Sequence, residues 1–198
     1  MLRRRNFSTG SKLLVSVVLI GIAATIGSLS TFASFTSSTS AAMSQGTGTT
    51  SIALGATGAS TNRLNINATD VAPGDTMQRS FDLTNSGSLD LASVTLTTTA
   101  TVTSLLDSDA TNGLQMVIDR CSVAWTESGS SPAFTYTCGG TTSSVVATRA
   151  VIGSAISLSN LGLTAGTVNR LRLTLTLPSA AGNSLQGLNS TIQFAFTG

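Results

Sequence analysis

The sequence predicts an all-β chain: a single antiparallel two-sheet sandwich of jelly-roll type, preceded by an N-terminal signal peptide. Three observations lead there. Short runs of alternating apolar and polar residues recur along the chain, separated by Gly, Asn and Pro turn signals. No convincing amphipathic helix follows the N-terminal segment. Only 9% of the residues are charged, against about a quarter in ordinary globular domains, and Thr and Ser take their places.

The elements run in this order. Arg3 to Lys12 is a positive stretch, Leu13 to Ile26 is nearly unbroken apolar sequence, and Thr31-Phe32-Ala33 puts a small residue at a cleavage position. That order is the signature of a secretory signal peptide, residues 1–33, cut between Ala33 and Ser34. Ala41 and Ala42 are alternative cleavage positions. A retained membrane anchor is the other reading, weakened by Gly21, Gly27, Ser28, Ser30 and Thr31. Residues 34–50 are Ser, Thr, Gly and Ala with isolated Phe35 and Met43. They read as a flexible arm that cannot build a core alone. The folded domain is residues 51–198. It begins with Leu64, Ile66 and Ala68 alternating with polar neighbours, then the turn Ala72-Pro73-Gly74-Asp75. Phe81 and Leu83 alternate next, ending at Asn85-Ser86-Gly87. Val94 to Val102 is a longer alternating set, and a short helix fits Ser104 to Gly113. Leu114 to Trp125 reads as one strand region bent near Arg120. Phe134, Tyr136 and Cys138 alternate in turn. The clearest strand sets Leu171, Leu173, Leu175 and Leu177 against Arg170, Arg172, Thr174 and Thr176, and the last is Ile192, Phe194 and Phe196.

An even cysteine count in an exported chain predicts a disulfide between Cys121 and Cys138. Closing that loop stabilises the fold by about 3 kcal/mol in the chain-entropy account. Two separate buried thiols are the alternative. Charge narrows the function classes. The net charge is +2, but Arg3, Arg4, Arg5 and Lys12 all fall in the signal segment. What remains is slightly acidic and scattered, so no basic surface for nucleic acid is expected.

The inventory also argues against catalysis. There is no histidine, so no Ser-His-Asp triad, Cys-His pair or His-Glu-x-x-His zinc site can form. The only lysine, Lys12, lies in the signal segment. Acids are left as the sole acid-base groups, and no cofactor is expected. A weak calcium candidate is Asp107, Asp109 and Asn112, whose oxygens alternate through a turn. Its register does not fit an EF-hand, since Ile118 stands where a bidentate Glu is needed. An ordinary Asx turn is the plainer reading.

Leu177-Pro178-Ser179-Ala180-Ala181-Gly182-Asn183-Ser184-Leu185-Gln186-Gly187, followed by Ile192-Gln193-Phe194-Ala195-Phe196, resembles the close of TasA/camelysin-family proteins. Pro73-Gly74-Asp75 with Phe81 to Gly87, and Ala33-Ser34-Phe35-Thr36 at the signal junction, resemble that family's early segments. The resemblance implies a jelly-roll domain, release by a signal peptidase, and self-assembly into biofilm matrix fibres at the cell surface or in the extracellular matrix. No membrane contact is expected after cleavage. The family's metallopeptidase name carries over no catalytic or metal residue here. Low edge charge fits strand donation between copies, with Phe35 and Met43 on the donating arm. A monomeric surface or coat domain that binds glycan or protein through its loops is the alternative.

Overall fold

A computed structural model describes residues 48–64 and 71–198. The signal segment with Ala33 and Ser34, the arm residues Phe35 and Met43, and Ile66 and Ala68 of the first alternating set lie outside the described residues. The described chain is mostly β, with antiparallel sheets and one short helix.

The strands are β1 (Ile52–Leu54), β2 (Thr76–Asn85), β3 (Thr95–Val102), β4 (Gln115–Cys121), β5 (Trp125–Ser128), β6 (Thr135–Cys138), β7 (Thr142–Ala150), β8 (Gly153–Ser157), β9 (Val168–Thr176) and β10 (Thr191–Thr197). One sheet has the order β1-β2-β9-β4-β7, a second the order β10-β3-β8, and β5 pairs only with β6. From β2 to β4, and again from β7 to β10, each strand crosses to the other sheet from its predecessor.

The leucine row of β9 sets the arrangement. Leu171, Leu173 and Leu175 are buried, as is Leu177 just beyond the strand. Arg170, Arg172, Thr174 and Thr176 take the opposite face, as period-two alternation requires. β9 is the middle strand, with β2 on one side (Phe81 opposite Leu171) and β4 on the other (Ile118 opposite Leu173). The second sheet adds Leu96 and Ile156 to the same hydrophobic cluster. Its Phe196 ring meets the Phe81 ring at 5.4 Å between centroids, within the range of favourable aromatic pairs.

Local signals behave as their chemistry dictates. At the Pro73-Gly74 turn the Asp75 N–H donates to the Ala72 carbonyl at 3.0 Å, and Gly74 takes φ +94°, where a side chain is disfavoured. Helix α1 (Leu105–Ser108) is a single turn closed by a capping box: the Leu106 N–H donates to Ser104 Oγ, and the Ser104 N–H to Asp107 Oδ1. One expectation differs from the structure, and two strands had no expectation at all. The run from Leu114 to Trp125 does not bend at Arg120 as one strand. It breaks after Cys121, where the Ser122 N–H turns to the Thr141 carbonyl at 3.0 Å, and β5 starts afresh at Trp125. Strands β7 and β8 were not legible. In β7 the adjacent Val145 and Val146 are both buried, because its register with β4 shifts around Ile118. Such an irregularity erases the alternation that reveals a strand.

Leu173 is 1% exposed at the centre of the core. Leu173→Ala is expected to cost about 2–5 kcal/mol, read as a lower midpoint in chemical denaturation. Thr174→Ala, its outward neighbour, is expected to move the midpoint far less. Equal losses would show that this row does not carry the core.

Candidate functional site

The β5-β6 hairpin gathers chemistry that is dispersed in the sequence. It holds the chain's only Trp, only Tyr and only Glu. A disulfide joins Cys121, the last residue of β4, to Cys138, the last of β6, with Cα atoms 5.7 Å apart. Pairing sets Trp125 opposite Cys138 and Glu127 opposite Tyr136.

The hairpin docks through polar groups on β2 and β9, with Asp119 of β4 holding Arg172 in place. Arg172 stands opposite Asp119 in the β4-β9 register, and its Nη2 donates to Asp119 Oδ2 at 2.7 Å. The same guanidinium lies 4.5 Å from the Trp125 ring centroid and donates through Nη1 to the Tyr136 carbonyl at 3.3 Å. Trp125 Nε1 donates to the Arg170 carbonyl at 3.1 Å, and the Tyr136 N–H donates to Gln78 Oε1 at 3.0 Å. Arg172 Nε is buried with no hydrogen-bond partner among the described residues. The ring face beside the guanidinium offsets part of that cost.

A second knot lies at the free end of the hairpin. Arg63 grips Glu127 with two donors, Nε to Oε2 at 3.1 Å and Nη2 to Oε1 at 2.8 Å. Such a fork is stronger and more directional than a single contact. The Tyr136 hydroxyl donates to Glu127 Oε2 at 2.8 Å. Arg63 also lies 4.6 Å from the Phe134 ring centroid, and Arg79 lies 5.6 Å from it. The hydrogen bond from Arg63 holds the Glu127 carboxyl below its ordinary range and raises Arg63 in return. Burial lowers Arg79 and raises Tyr136. A carboxylate held so firmly in its ionised form is poorly placed to donate a proton near neutral pH. The arrangement works chemically as a clamp.

The sequence-predicted residues fall in different places. Cys121 and Cys138 are joined, as their count predicted. Asp107, Asp109 and Asn112 lie close together in the chain, but the carboxylate oxygens of the two aspartates are taken by local N–H and hydroxyl donors. Asp107 Oδ1 accepts from the Ser104 N–H at 2.7 Å and the Ser190 hydroxyl at 2.5 Å, and Oδ2 from the Thr103 hydroxyl at 2.8 Å. Burial alone would raise Asp107, but these bonds, Ser190 foremost, together hold it below the usual value. Asp109 Oδ1 accepts from the Thr111 and Asn112 N–H groups, both at 2.9 Å, and Oδ2 from Asn112 Nδ2 at 3.1 Å. The Asn112 N–H is the main cause of its lowered pKa. Among the described residues no group of three or more His, Cys, Asp or Glu side chains is placed to hold a metal. Sequence reasoning missed Arg63, Arg79, Asp119, Trp125, Glu127, Phe134 and Arg172 as one cluster. The available signal was the concentration of rare residue types between the two cysteines.

Replacing both cysteines by serine is expected to cost about 2–4 kcal/mol and to red-shift Trp125 fluorescence as the hairpin loosens. Unchanged stability and emission would mean that the polar contacts suffice. Glu127 adds a pH dependence. Its folded pKa is depressed, so its contribution is present above the unfolded value and is lost as the pH falls through the folded one. Glu127→Gln is therefore expected to lower stability at neutral pH and to flatten the acid limb of the stability profile. Parallel profiles for the two proteins would remove this account.

Comparison with curated proteins finds no match. Residues 9–198 match the family described as camelysin metallo-endopeptidase, and over that span, nearly the whole sequence, the chain belongs to the TasA/camelysin family.

Proposed function

We propose that this chain is a secreted structural protein with a jelly-roll sandwich domain, which assembles by strand donation into fibres of the cell surface or extracellular matrix. The observation that carries the reading is the state of β10. It pairs with β3 on one side, and among the described residues no strand pairs with its other side. Its sequence, Thr-Ile-Gln-Phe-Ala-Phe-Thr, has no charge and no proline, the usual guards of an exposed edge. Its inward row of Ile192, Phe194 and Phe196 is packed on the core yet only half buried. An added strand would satisfy the backbone of this edge and cover that row. The donor in this reading is Ser34 to Ser44, with Phe35 and Met43 as its apolar side chains. Signal peptidase would free it by cutting after Ala33, which ties assembly to export.

The family description implies a metal and peptidase chemistry, and the residues present do not fit that. The chain has no histidine, and its two cysteines are bonded to each other. Glu127 and Asp119 are engaged by arginines, while Asp107 and Asp109 hold turns. Hydrolytic zinc centres are built from histidine, cysteine and carboxylate ligands around an open position. Our reading therefore assigns no catalytic residue and no metal.

Deleting Ser34 to Ser44 from the secreted chain is expected to leave folded monomers, with no fibres by electron microscopy, and Phe35→Ala is expected to slow assembly. Fibres that form equally well without the arm would overturn strand donation. The purified chain is also expected to leave casein intact with or without added zinc. Zinc-dependent cleavage lost on changing one of its aspartates would overturn the non-catalytic reading.

A further inference from the structure

The two sheets carry very different outer faces. On the five-stranded sheet that face bears Asp82, Asp119, Arg170 and Arg172, with the hairpin docked over part of it. On the three-stranded sheet Leu96 and Thr98 of β3 point into the core. Their neighbours Thr95, Thr97, Thr99 and Thr101 therefore point outward, beside Gln193 and Thr197 of β10. No outward position of β3, β8 or β10 is charged, and among the described residues no element lies over this face.

We propose that this uncharged threonine face is a contact surface for the same face of a second copy of the chain. Charge makes the first argument. Two such faces meet without repulsion and without burying any ion, whereas a charged partner finds nothing here to pair with. The hydroxyl groups make the second. Thr101 Oγ1 donates to the Thr191 carbonyl at 3.3 Å, Thr95 Oγ1 reaches the Thr197 carbonyl at 3.5 Å, and Thr97 Oγ1 accepts the Ala155 N–H at 3.1 Å. Those three hydroxyls are engaged within their own sheet, while Thr99 and Gln193, exposed and opposite one another at the middle of the face, are open to a partner. An uncharged row of this kind suits a second sheet packed face to face at about 10 Å.

Area sets the strength of the contact. Three strands of about seven residues cover about 14 by 23 Å, from the usual strand spacing and rise. The resulting footprint of about 300 Å² is well below the roughly 800 Å² per partner of a stable complex. One pair of faces therefore binds weakly, and the contact counts where copies repeat along an assembly. It is distinct from strand donation, because it joins like surfaces and uses a sheet face where donation uses an edge.

Charge reversal tests it. Thr99 and Gln193 are exposed and opposite one another in register. One variant carries Thr99→Lys with Gln193→Lys, and the other Thr99→Glu with Gln193→Glu. The secreted chain is examined by electron microscopy for side-by-side pairing of filaments, or by sedimentation at high concentration if no filaments form. Each variant alone is expected to lose pairing, by about tenfold or more in association, since like charges would face each other. An equimolar mixture is expected to regain it. Pairing retained in either variant, a mixture that fails to pair, or wild-type chain that never pairs would each overturn the proposal. Loss of filaments with pairing intact would instead strike at strand donation. If the double variants misfold by Trp125 fluorescence, Ala195→Lys and Ala195→Glu repeat the test at another exposed outward position.

Discussion

Everything in this structure depends on the register of β9. It is the middle strand of the larger sheet and is paired on both edges. Both of its faces are occupied by specific partners. The inward leucines meet Phe81, Met116 and Ile118 in the core. The outward arginines hold the hairpin, Arg172 through its guanidinium and Arg170 through its backbone carbonyl. A slip of one residue would exchange the two rows, driving guanidinium groups into the core and leucines into water. Neither error is tolerable, so the strand admits one register, and β2 and β4 inherit theirs from it.

That constraint explains how a chain so poor in charge places its few ions. Of the six arginines beyond Lys12, Arg63 and Arg172 each pair with a carboxylate, and Arg63, Arg79 and Arg172 each lie over an aromatic ring of the hairpin. The side chains of both ion pairs are only 18–26% exposed. At such partial burial the desolvation of the charges offsets much of their attraction. What the Arg63–Glu127 pair supplies is direction: a guanidinium donating two bonds holds a carboxylate in few orientations. The hairpin itself is fixed to β2 through Gln78 and to β9 through Arg170 and Arg172, while the disulfide holds its base to β4.

The fold was legible where side chains alternate cleanly between core and solvent. The Leu171 to Leu177 row, the Phe81 strand and the Ile192 to Phe196 strand follow that rule. It failed where backbone irregularity breaks the period, as at Val145-Val146 in β7. It failed again in β8, where Ala155 takes φ +48°. The disulfide was legible from compartment chemistry and an even count. The arginine-aromatic cluster was not, because its partners are remote in the chain: Arg63 and Glu127 are 64 residues apart, and Arg172 and Asp119 are 53 apart. Only strand order brings them together, and order across a sheet leaves no local trace. The acids of the Asp107 turn were visible, and their role as caps is the one that short polar side chains most often take beside a helix.

The edges of the two sheets are treated unequally, and this bears on how copies of the chain would meet. The outer edge of β7 is partly sealed, since the Val145 carbonyl accepts from the Ser159 N–H and hydroxyl and the Ser144 carbonyl from Asn160 Nδ2. β1 offers only three residues, and the five of β8 are interrupted at Ala155, which takes φ +48°. β10 offers seven, with neither charge nor proline. One long regular edge, the count among the described residues, cannot by itself make a filament. Two such edges from two copies would meet and close as a pair. A filament needs a second, different element on each copy, which is the part the arm would play: arm to edge is a heterologous contact and can repeat without closing. A face that meets its own kind is isologous and does close, after one pair. The two proposed contacts thus divide the work by symmetry, the first setting length and the second limiting lateral growth to pairing.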